Sequence, residues 1–213
     1  MYGDVSRAGD LGYDTGPSAN SDLSSKKEPT RYGYFFSIWK KQPNGAWRVV
    51  LDLGTQNPAD EWDPARPPGF NQAPSSGWKP TAKPDLARDF AGLKAAEAAA
   101  ARAARSSGLV AASAGFLDGD ARLHRNYMSP LVGRENIRAF LAKNDSKAHW
   151  EAMEVFVAKS ADLGYTYGRY WAPGWGKDGA EETGYYAHVW RKDVQGTWRL
   201  VFHVTNPADL TKK

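Results

Sequence analysis

The chain has 213 residues, with 28 basic and 24 acidic side chains and a formal net charge of +4. Its charges are interspersed and the only terminal basic cluster is Lys212-Lys213, which argues against the concentrated basic face of a nucleic-acid-binding protein. The absence of cysteine excludes disulfides, thiolate nucleophiles and cysteine-based zinc sites, while 41% apolar residues with nine Trp and ten Tyr suffice for a packed core.

Taken in chain order, residues 1–58 read as an antiparallel meander. Asp10-Leu11-Gly12-Tyr13 opens one strand, Gly33-Tyr34 lies in a second, and Gln42-Pro43-Asn44-Gly45 carries the Asn-Gly hairpin signal. A third strand runs through Trp47, Val49, Leu51 and Leu53, and Asn57-Pro58 ends it because proline cannot continue a ladder. Residues 59–84 are Pro-rich and aperiodic, a semi-rigid linker whose Trp62, Phe70 and Trp78 predict that it lies along a surface.

Asp85 after Pro84 is an N-cap for an Ala-rich helix that begins with Leu86, Phe90, Leu93 and Glu97 and runs to about Ser106. Gly108 breaks it, and a second helical stretch continues to Leu117. The apolar run 106–117 is too short to span a bilayer, so no membrane partner is expected. After a turn at Asp118-Gly119-Asp120 come a short strand over Ala121–Tyr127, a helix over Gly133–Lys143 with Ile137, Phe140 and Leu141 on one side, and a strand over Ala148–Ala158. In that strand, strict alternation puts Trp150, Glu154 and Phe156 on one face and Met153, Val155 and Val157 on the other. Strands over Leu163–Trp171, Gly184–Lys192 and Trp198–Thr205 complete the chain.

The last three strands echo the first meander. Asp10-Leu11-Gly12-Tyr13 recurs as Asp162-Leu163-Gly164-Tyr165, and Gly33-Tyr34 as Gly184-Tyr185. Trp39, Lys41, Gly45, Trp47, Arg48 and Val50 recur as Trp190, Lys192, Gly196, Trp198, Arg199 and Val201, and both stretches close on Asn-Pro-Ala-Asp. The expected organisation is therefore the C-terminal half of a first copy (1–58), a linker (59–84) and a complete second copy (85–213).

Alternation predicts that Trp198, Leu200, Phe202 and Val204 share a core face. Both parities of Gly184–Lys192 are apolar or aromatic, so this sheet is expected to be covered on both faces, by helices on one side and by a tandem copy or dimer partner on the other. The face carrying Trp47, Val49, Leu51 and Leu53 has no helices of its own. Either chain upstream of Met1 or a partner is expected to cover it. Met1-Tyr2-Gly3-Asp4 carries no signal peptide, which fits the cytoplasm, or the periplasm or exterior if an upstream signal is missing.

Leu131-Val132-Gly133-Arg134-Glu135-Asn136-Ile137-Arg138-Ala139-Phe140-Leu141 is similar to the helix motif of SnoaL-like domains. Asp162-Leu163-Gly164-Tyr165-Thr166-Tyr167-Gly168 and the Trp-Arg-Lys…Gly-Thr-Trp-Arg-Leu-Val…Asn-Pro ending resemble the same ketosteroid-isomerase-like branch of the nuclear-transport-factor-2-like superfamily, among them a bacterial domain of unknown function. The resemblance implies a cone-shaped, cystatin-like α+β fold: N-terminal helices on a curved antiparallel sheet, a pocket inside the cone, and dimerisation through sheet faces. That fold hosts binders, oligomerisation modules and enzymes alike.

Candidate site residues follow from both sources. None of His124, His149, His188 and His203 has metal-ligand spacing, so neither metal nor cofactor is expected. His203 matches Asp52 in the echo, either as an acid–base position or as a polar pair on the sheet-to-sheet face. Tyr165, Tyr167, Arg169 and Trp171 share one strand face, either a site for a small apolar or aromatic ligand or packing beneath a snorkelling arginine. By the resemblance, Glu154 as base and Tyr127 as donor rim the cone with His124. The isomerase's characteristic aspartate base and paired donors have no match, so a binding or dimerising module leads, with an isomerase, dehydratase or cyclase as alternative. Pro173–Gly179 reads as a flexible hairpin loop.

Overall fold

The computed structural model describes residues 1–20, 31–57, 69–80 and 83–210. Trp62, much of the expected linker, the end of the first Asn-Pro-Ala-Asp motif and Lys212-Lys213 lie outside the described residues. One sheet holds β1 (Tyr2–Val5), β2 (Leu11–Asn20), β3 (Arg31–Lys41), β4 (Trp47–Asn57) and β5 (Asn71–Gln72), in the order β4-β3-β2-β1-β5. Three helices follow, α1 (Leu86–Ser107), α2 (Leu109–Phe116) and α3 (Arg134–Leu141). The second sheet holds β6 (Leu117–His124), β7 (Leu131–Val132), β8 (His149–Val157), β9 (Leu163–Ala172), β10 (Glu182–Lys192) and β11 (Trp198–Pro207), in the order β7-β6-β11-β10-β9-β8. Because β6 joins β11 in parallel, this sheet is mixed instead of purely antiparallel.

The helices lie on one face of the second sheet. Asp85 caps α1 by accepting from the Arg88 N–H at 3.1 Å. Along α1, Leu93, Ala100 and Ala104 turn inward and let the helix approach closely. They meet Trp150, Trp190, Trp198 and Leu200, with Ile137 and Leu141 of α3 closing the end. The helices on a curved sheet make the fold α+β and cystatin-like.

The opposite face of the second sheet packs on the first sheet. Leu11, Tyr13, Phe36 and Ile38 meet Leu163, Tyr165, Val189, Phe202 and Val204 in a second core. Phe36 and Phe202 stack at 4.5 Å between centroids, and Tyr13 lies 5.9 Å from Phe202. Phe202→Ala should cost about 3–5 kcal/mol through the cavity it leaves. An unchanged thermal midpoint for that variant would show that the sheets do not pack at this seam.

Bulges overturn the strict alternation read from sequence. Val189 pairs with Phe202 but Trp190 with Leu200, so Val201 is an extra residue and parity reverses there. Trp198 and Leu200 face the helices, whereas Phe202 and Val204 face the other sheet. In β8 the extra residue is Met153: Trp150, Val155 and Val157 pack toward the helices, while Phe156 packs toward the first sheet. The first sheet bulges at Val50, the position matching Val201. Leu51 and Leu53 therefore pack into the inter-sheet core, leaving Trp47, Val49 and Val50 exposed. The single apolar face expected for Trp47, Val49, Leu51 and Leu53 is split between the two sides.

The outward side of the first sheet carries its own polar pairs. Trp39 Nε1 donates to Asp14 at 2.8 Å, and the Ser37 hydroxyl donates to Asp52 at 2.8 Å. The echoed Gly33 and Gly184 have a steric cause: a Cβ at either would run into the carbonyl of the facing strand, at Thr55 or Asn206.

Part of the expected linker lies on the surface. Ala73 is buried and the Arg191 guanidinium donates to the Pro74 carbonyl. Trp78 sits against Arg7 at 5.0 Å and Lys192 at 4.7 Å, whereas Phe70 is exposed and anchors nothing.

Candidate functional site

Between the helices and the second sheet lies a cavity with about 60 Å³ open to the centres of water-sized molecules, enough for one small ring. Leu109, Ala112, Phe116, Ile137 and Leu141 form its apolar wall. The sheet contributes Trp150, Tyr170, Tyr186, His188, His203 and Thr205.

Behind that wall sits one buried carboxylate. Glu97 falls on the inward face of α1 with Leu93, Ala100 and Ala104, where it meets β9 and β10. Its oxygens accept from Thr166 Oγ1 at 2.6 Å, Trp190 Nε1 at 2.9 Å and Tyr186 Oη at 3.0 Å, and face His188 Nδ1 at 3.0 Å. Burial opposes ionisation of Glu97, but the facing His188 and the hydroxyl donors outweigh it and hold the carboxyl below its usual range. An ionised carboxylate only accepts, so Nδ1 of His188 carries a hydrogen. In the neutral ring the lone pair is then on Nε2, which is buried and has no protein partner. A histidine held this way can take a proton at Nε2 and return it, with the carboxylate stabilising the charged ring.

His203 stands edge-on to His188, with centroids 4.6 Å apart. Burial, with His188 and Arg125 nearby, pushes its pKa well below the usual value, so it is neutral near pH 7. The mouth is closed by Arg125, which bonds Glu182 at 2.5 Å; Glu182 also accepts from Tyr170 Oη at 2.7 Å. Arg125 lies 4.4 Å from the Trp175 ring, whose Nε1 donates to Ser146 Oγ at 2.7 Å. Asn144 Nδ2 donates to the Gly174 carbonyl at 2.8 Å. Trp175 thus pins the Pro173–Gly179 loop, expected to be a free hairpin, across the cone.

Of the candidate site residues read from the sequence, only His203 lies in the cavity, so its expected place on the sheet-to-sheet face is corrected: the Val201 bulge turns it inward. Glu154, beyond the Met153 bulge, is exposed and accepts from Tyr165 Oη at 2.8 Å. Tyr127 is 76% exposed in the turn after β6, where its N–H donates to Gln56 O. Neither residue reaches the cavity as base or donor. His124 is buried between the sheets, edge-on to Tyr34 at 5.4 Å and 4.6 Å from Phe202. Tyr165 and Tyr167 pack on the inter-sheet core and Arg169 is exposed, so that stripe does not line the cone. His188, Glu97, Tyr170 and Tyr186 were missed. For Glu97 the available sign was an acid in the apolar stripe of an Ala-rich helix, a face that Asp89 also shares.

Among the described residues no cluster of three or more His, Asp or Glu suits a metal ion, and no helix is long and apolar enough to cross a membrane. No family model matches the chain. No curated protein matches it in sequence. Among solved structures, a ketosteroid isomerase-like protein from Erwinia carotovora atroseptica is 20% identical, with 57% of this chain and 97% of that chain covered and a TM-score of 0.46. A protein of the nuclear-transport-factor-2-like family from Streptomyces avermitilis is 16% identical, covering 58% and 98%, with a TM-score of 0.45. A protein of unknown function with a cystatin-like fold from Nostoc punctiforme is 15% identical, covering 58% and 94%, with a TM-score of 0.43.

Proposed function

We propose that the cone cavity binds a small, largely apolar ligand and that His188, positioned by Glu97, moves a proton on it, as an isomerase, dehydratase or cyclase does. One observation carries this reading. A buried imidazole lines the cavity with its Nδ1 turned to an ionised carboxylate and its Nε2 free of any protein partner. A ring needed only for packing would be expected to pair both of its nitrogens within the protein.

In the same reading, residues 1–58 are half of an earlier copy of 85–213, joined by 59–84, and act as a built-in dimer partner. The matching bulges at Val50 and Val201 and the inter-sheet core support this. The partner sheet covers the back of the cone and keeps β9–β11 in place around the cavity.

The test is proton abstraction itself. Small cyclic ketones (cyclopentanone, cyclohexanone and cyclohexenone) are incubated with the protein in deuterium oxide, and loss of the α-proton signal is followed by NMR. The wild type should exceed His188→Gln by about a hundredfold or more, the range of a positioned general base. Glu97→Gln should fall between them. Exchange by the wild type no faster than by His188→Gln for every ketone would remove the catalytic reading and leave a binding module.

A further inference from the structure

Trp150 is 8% exposed, lines the same cavity as His188, and its Nε1–H finds no protein acceptor. Its ring stands edge-on to His188, at 86° with centroids 5.6 Å apart. Three other buried side chains nearby are committed elsewhere. Tyr186 and Trp190 donate to Glu97, and Tyr170 donates to Glu182. The wall therefore holds Trp150 Nε1–H, Thr205 Oγ1 and, when its ring is neutral, the His188 Nε2 lone pair without protein partners. Buried polar groups are nearly always satisfied, and an unsatisfied pair on a cavity wall calls for a ligand that completes it.

We propose that Trp150 is a ligand-recognition residue, and that the cavity takes a small planar molecule whose carbonyl-type oxygen sits next to an acidic X–H group. The oxygen accepts from Trp150 Nε1–H while the X–H points at His188 Nε2. The class comprises cyclic amides, enols and hydroxy-carbonyl rings. The small, mostly apolar-lined cavity disfavours an extended ligand. The inference rests on the His188 reading, because His188 Nε2 supplies the acceptor. It adds the oxygen contact, which that reading does not need.

The probes are 2-pyridone, which carries the adjacent oxygen and N–H, N-methyl-2-pyridone, which keeps only the oxygen, and pyrrole, which keeps only the N–H. Binding to the full chain is followed by NMR, with the Trp150 indole signal assigned by its loss in Trp150→Phe. Saturating 2-pyridone should move that signal downfield and bind more tightly than either single-function ring. Trp150→Phe should weaken 2-pyridone about tenfold, the loss of one hydrogen bond, and leave pyrrole unchanged. Unchanged pyrrole binding also shows that the variant has kept its cavity. The assignment is overturned if 2-pyridone fails to bind, leaves the Trp150 signal unmoved, or binds the variant equally well. Ketone exchange that persists in that case leaves the His188 base standing, so the two readings fail separately.

Discussion

Glu97→Ala should lose about 3–5 kcal/mol of folding stability, as expected when one partner of a buried charged pair is removed. The carboxylate is 3% exposed and receives Thr166, Tyr186, Trp190 and His188. Truncation leaves those donors facing an apolar hole, each with a desolvation cost of its own. It also removes the bond from α1 to β9, while the Asp89–Lys192 pair still joins the helix to β10. Glu97→Gln should cost less, since its amide oxygen still accepts, but its NH₂ group must then face donors. Urea unfolding at pH 7 measures both. An Ala variant within about 1 kcal/mol of wild type would mean that water reaches the cluster and replaces the carboxylate.

This prediction turns on a residue that sequence reasoning passed over, and the reason is physical. The α1 stripe Leu93-Glu97-Ala100-Ala104 was legible as a packed helix face, and an acid within it reads equally as a solvated neighbour at the stripe's edge. Only the partners on β9 and β10, about 70 to 90 residues away in sequence, distinguish the two. Element identities were legible because hairpin turns, caps and periodicity are local. Side-chain facing was not, because a single extra residue at Val50, Met153 or Val201 reverses everything beyond it, and alternation has no symbol for a bulge. That reversal moved His203 into the cavity and took Glu154 out of it.

Acidification should destabilise the protein well before its carboxylates titrate. His124 lies in the seam between the sheets, against Tyr34 and Phe202, with Arg122 as the nearest charge. Burial, and then Arg122, lower its pKa from 6.5 to about 3. His203 is lowered as well, by burial and by His188 and Arg125. A histidine with a depressed folded pKa contributes its stability in full above the unfolded value near 6.5. As pH falls below that point, the unfolded chain takes up protons that the folded chain refuses. Each such histidine then removes about 1.4 kcal/mol per pH unit, so two remove about 2–3. Glu97, held below the usual carboxyl value of 4.5, adds to the loss only beneath that pH. Asp4, raised by its burial, works weakly in the opposite direction. Between pH 6.5 and 5 the two histidines thus account for about 3 kcal/mol, a large share of the ~5–15 kcal/mol that holds a typical domain folded. Urea midpoints at pH 7 and pH 5 read the slope directly. His124→Gln should halve it, since His203 alone of these two then contributes. A stability unchanged between those two pH values would mean that His124 accepts its proton in place, which requires water in the seam where Phe202 and Tyr34 enclose it.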